Sequence, residues 1–299
     1  MRRFIAGMTL LALVAAGAGC GSSADSGSAS TDGGVDKVKV GVIPIVDVAP
    51  IYLGQKQGFF ASRKIELTME SGQGGAAIVP GVVSGQFQFG FSNITSLLIA
   101  QTKNVPIKVV ANGVASTGVA GKKVAVNTLK NIGDTVVRES VRKAGGDPST
   151  ITFVEMPFAN MPAALDGGQV DAAFVVEPIM STVTGAGGRV VAWCYADPAP
   201  NLTVAAYFAS TKLIADKPDL VKRFTEAMKE SLAYADTHPD EVRAILGSYT
   251  KIDPTVREAL TLPKWPTEIN RSSVETLSKL GAQDGIFGGA TPDLAKILP

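Results

Sequence analysis

Few side chains in this sequence suit bond-making chemistry. His238 is the only histidine, and Cys20 and Cys194 are the only cysteines; neither thiol sits in a metal-binding or redox spacing. One histidine argues against a His-based metal site, and no Ser, His and Asp set presents itself, so no catalytic residue is assigned. What stands out instead is a series of carboxylates, amides and hydroxyls placed just after short apolar runs. Asp47 follows the run 37–45 and lies beside Pro50 and Tyr52. Its carboxylate can accept hydrogen bonds from an ammonium or ring amine, or cap the helix that follows. Glu177 closes the apolar run 172–176. A carboxylate carried to the mouth of a cleft by such a run needs a partner, which is either a ligand cation or a protein donor.

The remaining candidates are neutral. The loop from Ser71 to Gly75 contains Gly72 and Gln73 and leads into a helix, so it is either an anion-attracting row of backbone N–H groups or a plain turn. It is not a phosphate-binding P-loop, because no Gly-Lys-Ser/Thr follows. Ser92 and Asn93 offer one ligand donor and one helix cap. Asn127, Thr128 and Asn131 precede a helix whose N-terminus favours a sulfonate, nitrate or carboxylate, with Lys130 as an added charge or a solvated side chain. Phe158 either stacks on a planar or apolar ligand or packs in the core, and Trp265 either walls a cleft or packs between its two prolines.

The elements that must position these residues alternate strand and helix, which defines an α/β fold. Strands are expected at 37–45, 65–70, 87–91 and 107–112, with helices at 49–57, 76–83 and 93–102. Pro80 should kink the second of these or mark its first turn. A second block has strands at 122–127, 151–155, 172–176 and 189–193, and helices at 132–143, 160–165 and 178–184. A strand at 204–209 precedes a helical tail with helices at 216–237, 239–248, 254–262 and 272–282. Two such blocks imply two lobes, one from 37–114 and 200–299, the other from 119–199. Ligands bind at the carboxyl ends of strands and between domains, which is where every candidate above falls.

Composition narrows the function further. The 28 Lys and Arg nearly balance the 27 Asp and Glu, and no basic patch argues for nucleic acid. With 45% hydrophobic residues, the roughly 260 residues after residue 36 can build a substantial core. The N-terminus reads as a secretory signal, with Arg2 and Arg3 before the apolar run 4–16. It ends in Gly-Ala-Gly before Cys20, which resembles a lipoprotein processing site, although Gly17 stands where an aliphatic residue is usual. Residues 21–36 are a Gly/Ser-rich tether with an r.m.s. reach of roughly 20–24 Å.

The run 45–60, from Ile45 through Asp47 and Tyr52 to Gly58-Phe59-Phe60, resembles the opening of the solute-binding proteins for nitrate, aliphatic sulfonates and taurine. The same branch contains binders of thiamine pyrimidine precursors, the NMT1/THI5-like family. The runs 84–90, 121–127, 168–178 (ending Glu177-Pro178) and 262–266 are similar to further stretches of that family, in the same order. The resemblance implies a two-lobed, type II periplasmic-binding-protein-like fold with a helical C-terminal tail. It also implies an ABC-transporter substrate-binding lipoprotein, extracytoplasmic and anchored at the cell membrane through Cys20. Such a protein captures a small polar solute and delivers it to permease and ATPase subunits, with no cofactor and no reaction. Two other readings stay open: a lipoprotein that presents its ligand to a membrane receptor, and, more remotely, the pyrimidine-synthesis enzyme of the same fold. The latter relies on His and a Cys-rich iron-binding run that this sequence lacks. One departure from the family is marked: residues 112–121 join the two blocks almost directly, as though a hinge strand and its loop were missing.

Overall fold

The computed structural model describes residues 34–115 and 123–299. The signal, Cys20, most of the tether and residues 116–122 of the short connection lie outside the described residues.

The first sheet is built from strands whose apolar residues are buried on both faces. β1 (Asp36–Val42) pairs in parallel with β2 (Ile65–Ser71) and with β3 (Phe89–Asn93). β4 (Ile107–Ala115) joins the same sheet through β8 (Thr203–Ser210), which runs antiparallel to both β3 and β4. The order is β2-β1-β3-β8-β4. Crossovers are made by α1 (Ala49–Lys56), α2 (Gly75–Val83) and α3 (Ile94–Thr102). Pro80 lies inside α2.

The second sheet has three parallel strands, β5 (Lys123–Val126), β6 (Thr152–Glu155) and β7 (Ala172–Ala173), in the order β6-β5-β7. Its helices are α4 (Ile132–Lys143), α5 (Met161–Asp166) and α6 (Ile179–Gly185). The strand expected at 172–176 is cut to two residues. The strand expected at 189–193 does not form: those residues are irregular backbone. Strand propensity there is high, but a strand needs a neighbour to pair with, and none of the described residues supplies one.

The tail packs back on the first sheet. It comprises α7 (Thr211–Asp216), α8 (Pro218–Thr237), α9 (Pro239–Leu246), α10 (Pro254–Ala259), α11 (Arg271–Gln283) and α12 (Leu294–Ile297). The helix expected at 216–237 forms as α8 from Pro218, and α7 precedes it as a separate short helix, because Pro218 lacks an N–H and disfavours helical backbone at Lys217 before it. On α8, Phe224 stacks on Phe89 with ring centroids 3.7 Å apart and meets Phe60 at 5.7 Å, which fastens the tail to β3 and to the turn after α1. Arg142 on α4 forms an ion pair with Asp284 beyond α11, so the tail also holds the second lobe.

Candidate functional site

The carboxyl ends of β1, β2 and β3 face those of β5 and β6 and the segment after β7, and the expected residues sit on these ends. The backbone makes the approach close. A Cβ on Gly74, at the start of α2, would stand 3.7 Å from both Asn127 Nδ2 and Thr128 Oγ1 of the other lobe. A Cβ on Gly75 would fall 2.1 Å from Ser92 Oγ, so only glycine lets α2 begin against β3. The Gly72 N–H donates to the Val42 carbonyl at 2.7 Å, while Gln73 is exposed. Ser92 is fully buried, and Asn93 caps α3 by accepting the Ser96 N–H at 2.8 Å.

Asn131 does two structural jobs. Its Oδ1 accepts the Ile132 N–H at 2.8 Å, and its Nδ2 donates to Ser96 Oγ of the opposite lobe at 3.0 Å. Asn127 and Thr128 remain half-buried at the end of β5. Lys130 adopts left-handed backbone with φ of 50°, and its N–H donates to Asp134 at 3.0 Å. Phe158 is half-buried in the turn after β6, packed against the main apolar core and against the small second-lobe cluster of Ala125, Met161, Ala164 and Val170.

The two carboxylates have different surroundings. Glu177 is 7% exposed and fully supplied with protein donors. Its oxygens accept the Ser181 N–H at 2.9 Å, the Ser181 hydroxyl at 2.8 Å and the Thr261 N–H at 2.9 Å. It therefore caps the first turn of α6 and ties the second lobe to the tail. Asp47 lies in the short 3-10 turn Val46–Val48 and is 9% exposed. It does not cap α1, whose N-cap is Val48 and has no side-chain bond. Burial pushes its carboxyl up to about 7; its own backbone N–H lowers it and the charge of Glu177 raises it further. Among the described residues no Lys, Arg or His is paired with it.

Aromatic residues from several distant segments lie near Asp47. Trp265, 2% exposed, donates its Nε1–H to the Asp47 carbonyl at 3.2 Å. Tyr52 stacks on Tyr249 with centroids 4.0 Å apart, and the Tyr249 hydroxyl donates to the Ile45 carbonyl at 3.1 Å. Tyr195 of the second lobe and Tyr207 of β8 are buried, and both are near enough to Asp47 to feel its charge. Burial first, then the charge of Asp47 at Tyr195 and those of Tyr52 and then Asp47 at Tyr207, hold their phenols well above the ordinary range, so both are neutral hydroxyls. Among the described residues the Tyr207 hydroxyl has no hydrogen-bond partner. Tyr195, Tyr207, Tyr249 and Thr261 were not among the residues singled out by sequence. They come from distant segments, and no local pattern marks them.

A five-stranded sheet with β8 antiparallel between β3 and β4, and a second, three-stranded parallel sheet whose polar strand ends meet it, make up the periplasmic-binding-protein fold. Solved structures agree. The ligand-binding component of an ABC-type import system from Staphylococcus aureus matches with a TM-score of 0.76 at 17% identity, covering 88% of this chain and 96% of that one. The alkanesulfonate-binding protein SsuA from Xanthomonas axonopodis pv. citri matches at 0.72 and 16%, covering 89% and 99%. The nitrate-binding protein NrtA from Synechocystis PCC 6803 matches at 0.75 and 15%, covering 88% and 86%. The NMT1/THI5-like family model matches residues 45–120 and 117–242, and the chain belongs to that family. The two matched pieces meet at the short connection. A candidate binding protein of Brucella abortus (strain 2308) is 25% identical over 171 residues, which is 56% of this chain and 53% of that protein. The match thus spans about half the length of the curated relatives. Among the described residues no helix is long and apolar enough to cross a membrane.

Proposed function

We propose that this protein is the solute-binding component of an ABC importer and that its solute carries a cationic, N–H-bearing end. The observation that carries the second part is Asp47: a buried carboxyl between the lobes, close enough to Tyr195, Tyr207 and Tyr249 for its charge to act on them, and supplied among the described residues with no donor except its own N–H. An ammonium or aminopyrimidine would complete it by charge-assisted hydrogen bonds, and an outer face of the Tyr52–Tyr249 stack suits a cation or a planar ring. An aminosulfonate such as taurine or an aminopyrimidine fits this better than nitrate. In the same reading Asn127, Thr128, Gly72, Gln73 and Ser92 bound the polar remainder of the solute, and the helix N-termini at Gly75 and Ile132 favour an anionic group there.

Capture works by closure. Solute contacts to Asp47 on one lobe and Thr128 on the other stabilise the closed form, which docks on a permease whose ATPase supplies the energy. Glu177 and Asn131 serve as fixed struts. Cys20 would carry the lipid that keeps the protein at the outer face of the cell membrane. No chemical step is assigned to the site.

The test is a thermal-melt screen with taurine, alkyl sulfonates, nitrate, aminopyrimidines and small carboxylates. A solute at 100 times its Kd should add about 2.7 kcal/mol. A saturable shift confined to amine-bearing solutes supports the proposal; a shift by nitrate or a plain alkyl sulfonate alone refutes the assigned role of Asp47.

A further inference from the structure

The loop that brings Asn127 and Thr128 to Gly74 is held from behind by two carboxylates. The Leu129 N–H donates to Glu155 Oε2 at 2.7 Å, and the Lys130 N–H donates to Asp134 Oδ2 at 3.0 Å. Two consecutive amides thus end on acceptors from different elements, the end of β6 and the first turn of α4. Hydrogen bonds to ionised acceptors of this kind are the strong ones. Asn131 closes the loop by accepting the Ile132 N–H and reaching Ser96 of the first lobe. Between these ties Lys130 has left-handed backbone, a conformation that a lysine keeps only where its surroundings hold it.

The braces are themselves anchored. Arg138 lies one turn along α4 from Asp134, and its charge acts on that carboxyl. Its guanidinium sits over the Phe153 ring, 5.0 Å from the centroid, and donates to the Pro148 carbonyl at 2.7 Å. Phe153 and Glu155 are two residues apart on β6 and so share one of its faces. One strand therefore supports both acceptors, Glu155 directly and Asp134 through Arg138. With the Leu129, Lys130 and Ile132 amides engaged by the protein, the polar atoms that stand at Gly74 are Asn127 Nδ2 and Thr128 Oγ1.

We infer that Glu155 and Asp134 are positioning residues for solute capture: they fix the loop 128–131 from behind and so set Asn127 and Thr128 against the start of α2. The inference rests on the reading of Asn127 and Thr128 as solute contacts. A loop without these ties must be ordered when the solute binds, so affinity falls although no contacting group has changed.

Asp134 is buried, so the test is placed on Glu155, which is exposed. Gly74→Cys with Thr128→Cys in the full chain reports the loop's position with no solute present. A Cβ on Gly74 stands 3.7 Å from Thr128 Oγ1, whose place the new sulfur takes, which is within reach of a disulfide. Cys194 is buried with its thiol held well above the usual range, and peptide mapping separates the 74–128 linkage from any made by Cys20. The pair should cross-link under mild oxidation. Adding Glu155→Ala should slow this about tenfold and speed exchange of the Leu129 amide by a similar factor. Glu155→Gln, whose amide oxygen still accepts that N–H, should restore both to within about threefold. Taurine and 4-aminopyrimidine then probe the chain without the added cysteines. For whichever shifts the melt, Glu155→Ala should raise Kd about tenfold with the melting temperature of the solute-free protein unchanged, and Glu155→Gln should not. An unchanged cross-linking rate or an unchanged Kd in Glu155→Ala overturns the proposal, as does a parent pair that never forms the 74–128 linkage. A linkage that depends on Glu155 while neither probe binds supports the positioning and refutes the solute assigned above.

Discussion

Asp47 and Glu177 set two buried carboxyl groups from opposite lobes in electrostatic contact, and only Glu177 is furnished with protein donors. The asymmetry separates a strut from a binding group. A carboxylate whose oxygens already accept three hydrogen bonds has little left to offer a solute. One that rests on its own backbone N–H is destabilised until something brings it donors.

Asp47→Asn should therefore cost affinity and add stability. A charged hydrogen bond contributes about 1.5–3 kcal/mol, so the Kd for the solute found in the melt screen should rise roughly 10- to 150-fold. The empty variant should melt higher than the wild type at pH 8. Unchanged affinity, measured by calorimetry, would remove Asp47 from the site.

The pH dependence of the empty protein follows from the same group. The Asp47 carboxyl is near 7 in the fold against 3.8 ordinarily, so between those values the folded state holds a proton that the unfolded chain has lost. Stability from this group is complete below about pH 4, declines as pH rises and is gone above about pH 7, a loss of up to about 4 kcal/mol. Denaturant titrations from pH 4.5 to 8 should show this slope in the wild type and a flatter one in Asp47→Asn.

Glu177→Gln should act the other way. Its single NH2 group would replace one of the two oxygens and oppose either the Ser181 N–H or the Thr261 N–H donor to donor, costing about 1–3 kcal/mol of stability. Affinity should stay within about threefold of the wild type. A large loss of affinity with an unchanged melting temperature would make Glu177 a solute contact instead.

Gly74→Val tests closure. The added branches would enter the space between Gly74 and Asn127 and Thr128, where even a Cβ stands at 3.7 Å. Affinity should fall about tenfold or more with little change in stability, because the wedge opposes only the closed arrangement. Equal affinity would mean that the solute does not require this approach of the lobes.

Much of this was legible in the sequence where the signal is local. Asn93 before an apolar run announces a cap, and β1, β2, β3 and β8 follow their apolar runs. The long tail helix follows its expected range from Pro218 to Thr237, while the short helix Thr211–Asp216 before it carried no separate signal. The strand at 189–193 was read from propensity alone, which says nothing about whether a partner strand exists. At the site, the end of β1 and the Val-Val-Glu-Pro turn pointed to the two carboxylates. What distinguishes them was hidden, since the Thr261 donor to Glu177 comes from 84 residues away and Tyr249 and Trp265 reach Asp47 only once the tail folds back.

The central claim is that a cationic end of the solute pairs with the Asp47 carboxylate, and counting protons tests it most directly. With the solute that shifts the melt, calorimetric titrations at pH 6 in two buffers of different ionisation enthalpy report the protons exchanged on binding. The account predicts release of close to one proton at pH 6, falling toward none by about pH 8.5, and an affinity that drops about tenfold per unit below pH 7. Equal heats in the two buffers at pH 6, with pH-independent affinity, would contradict it.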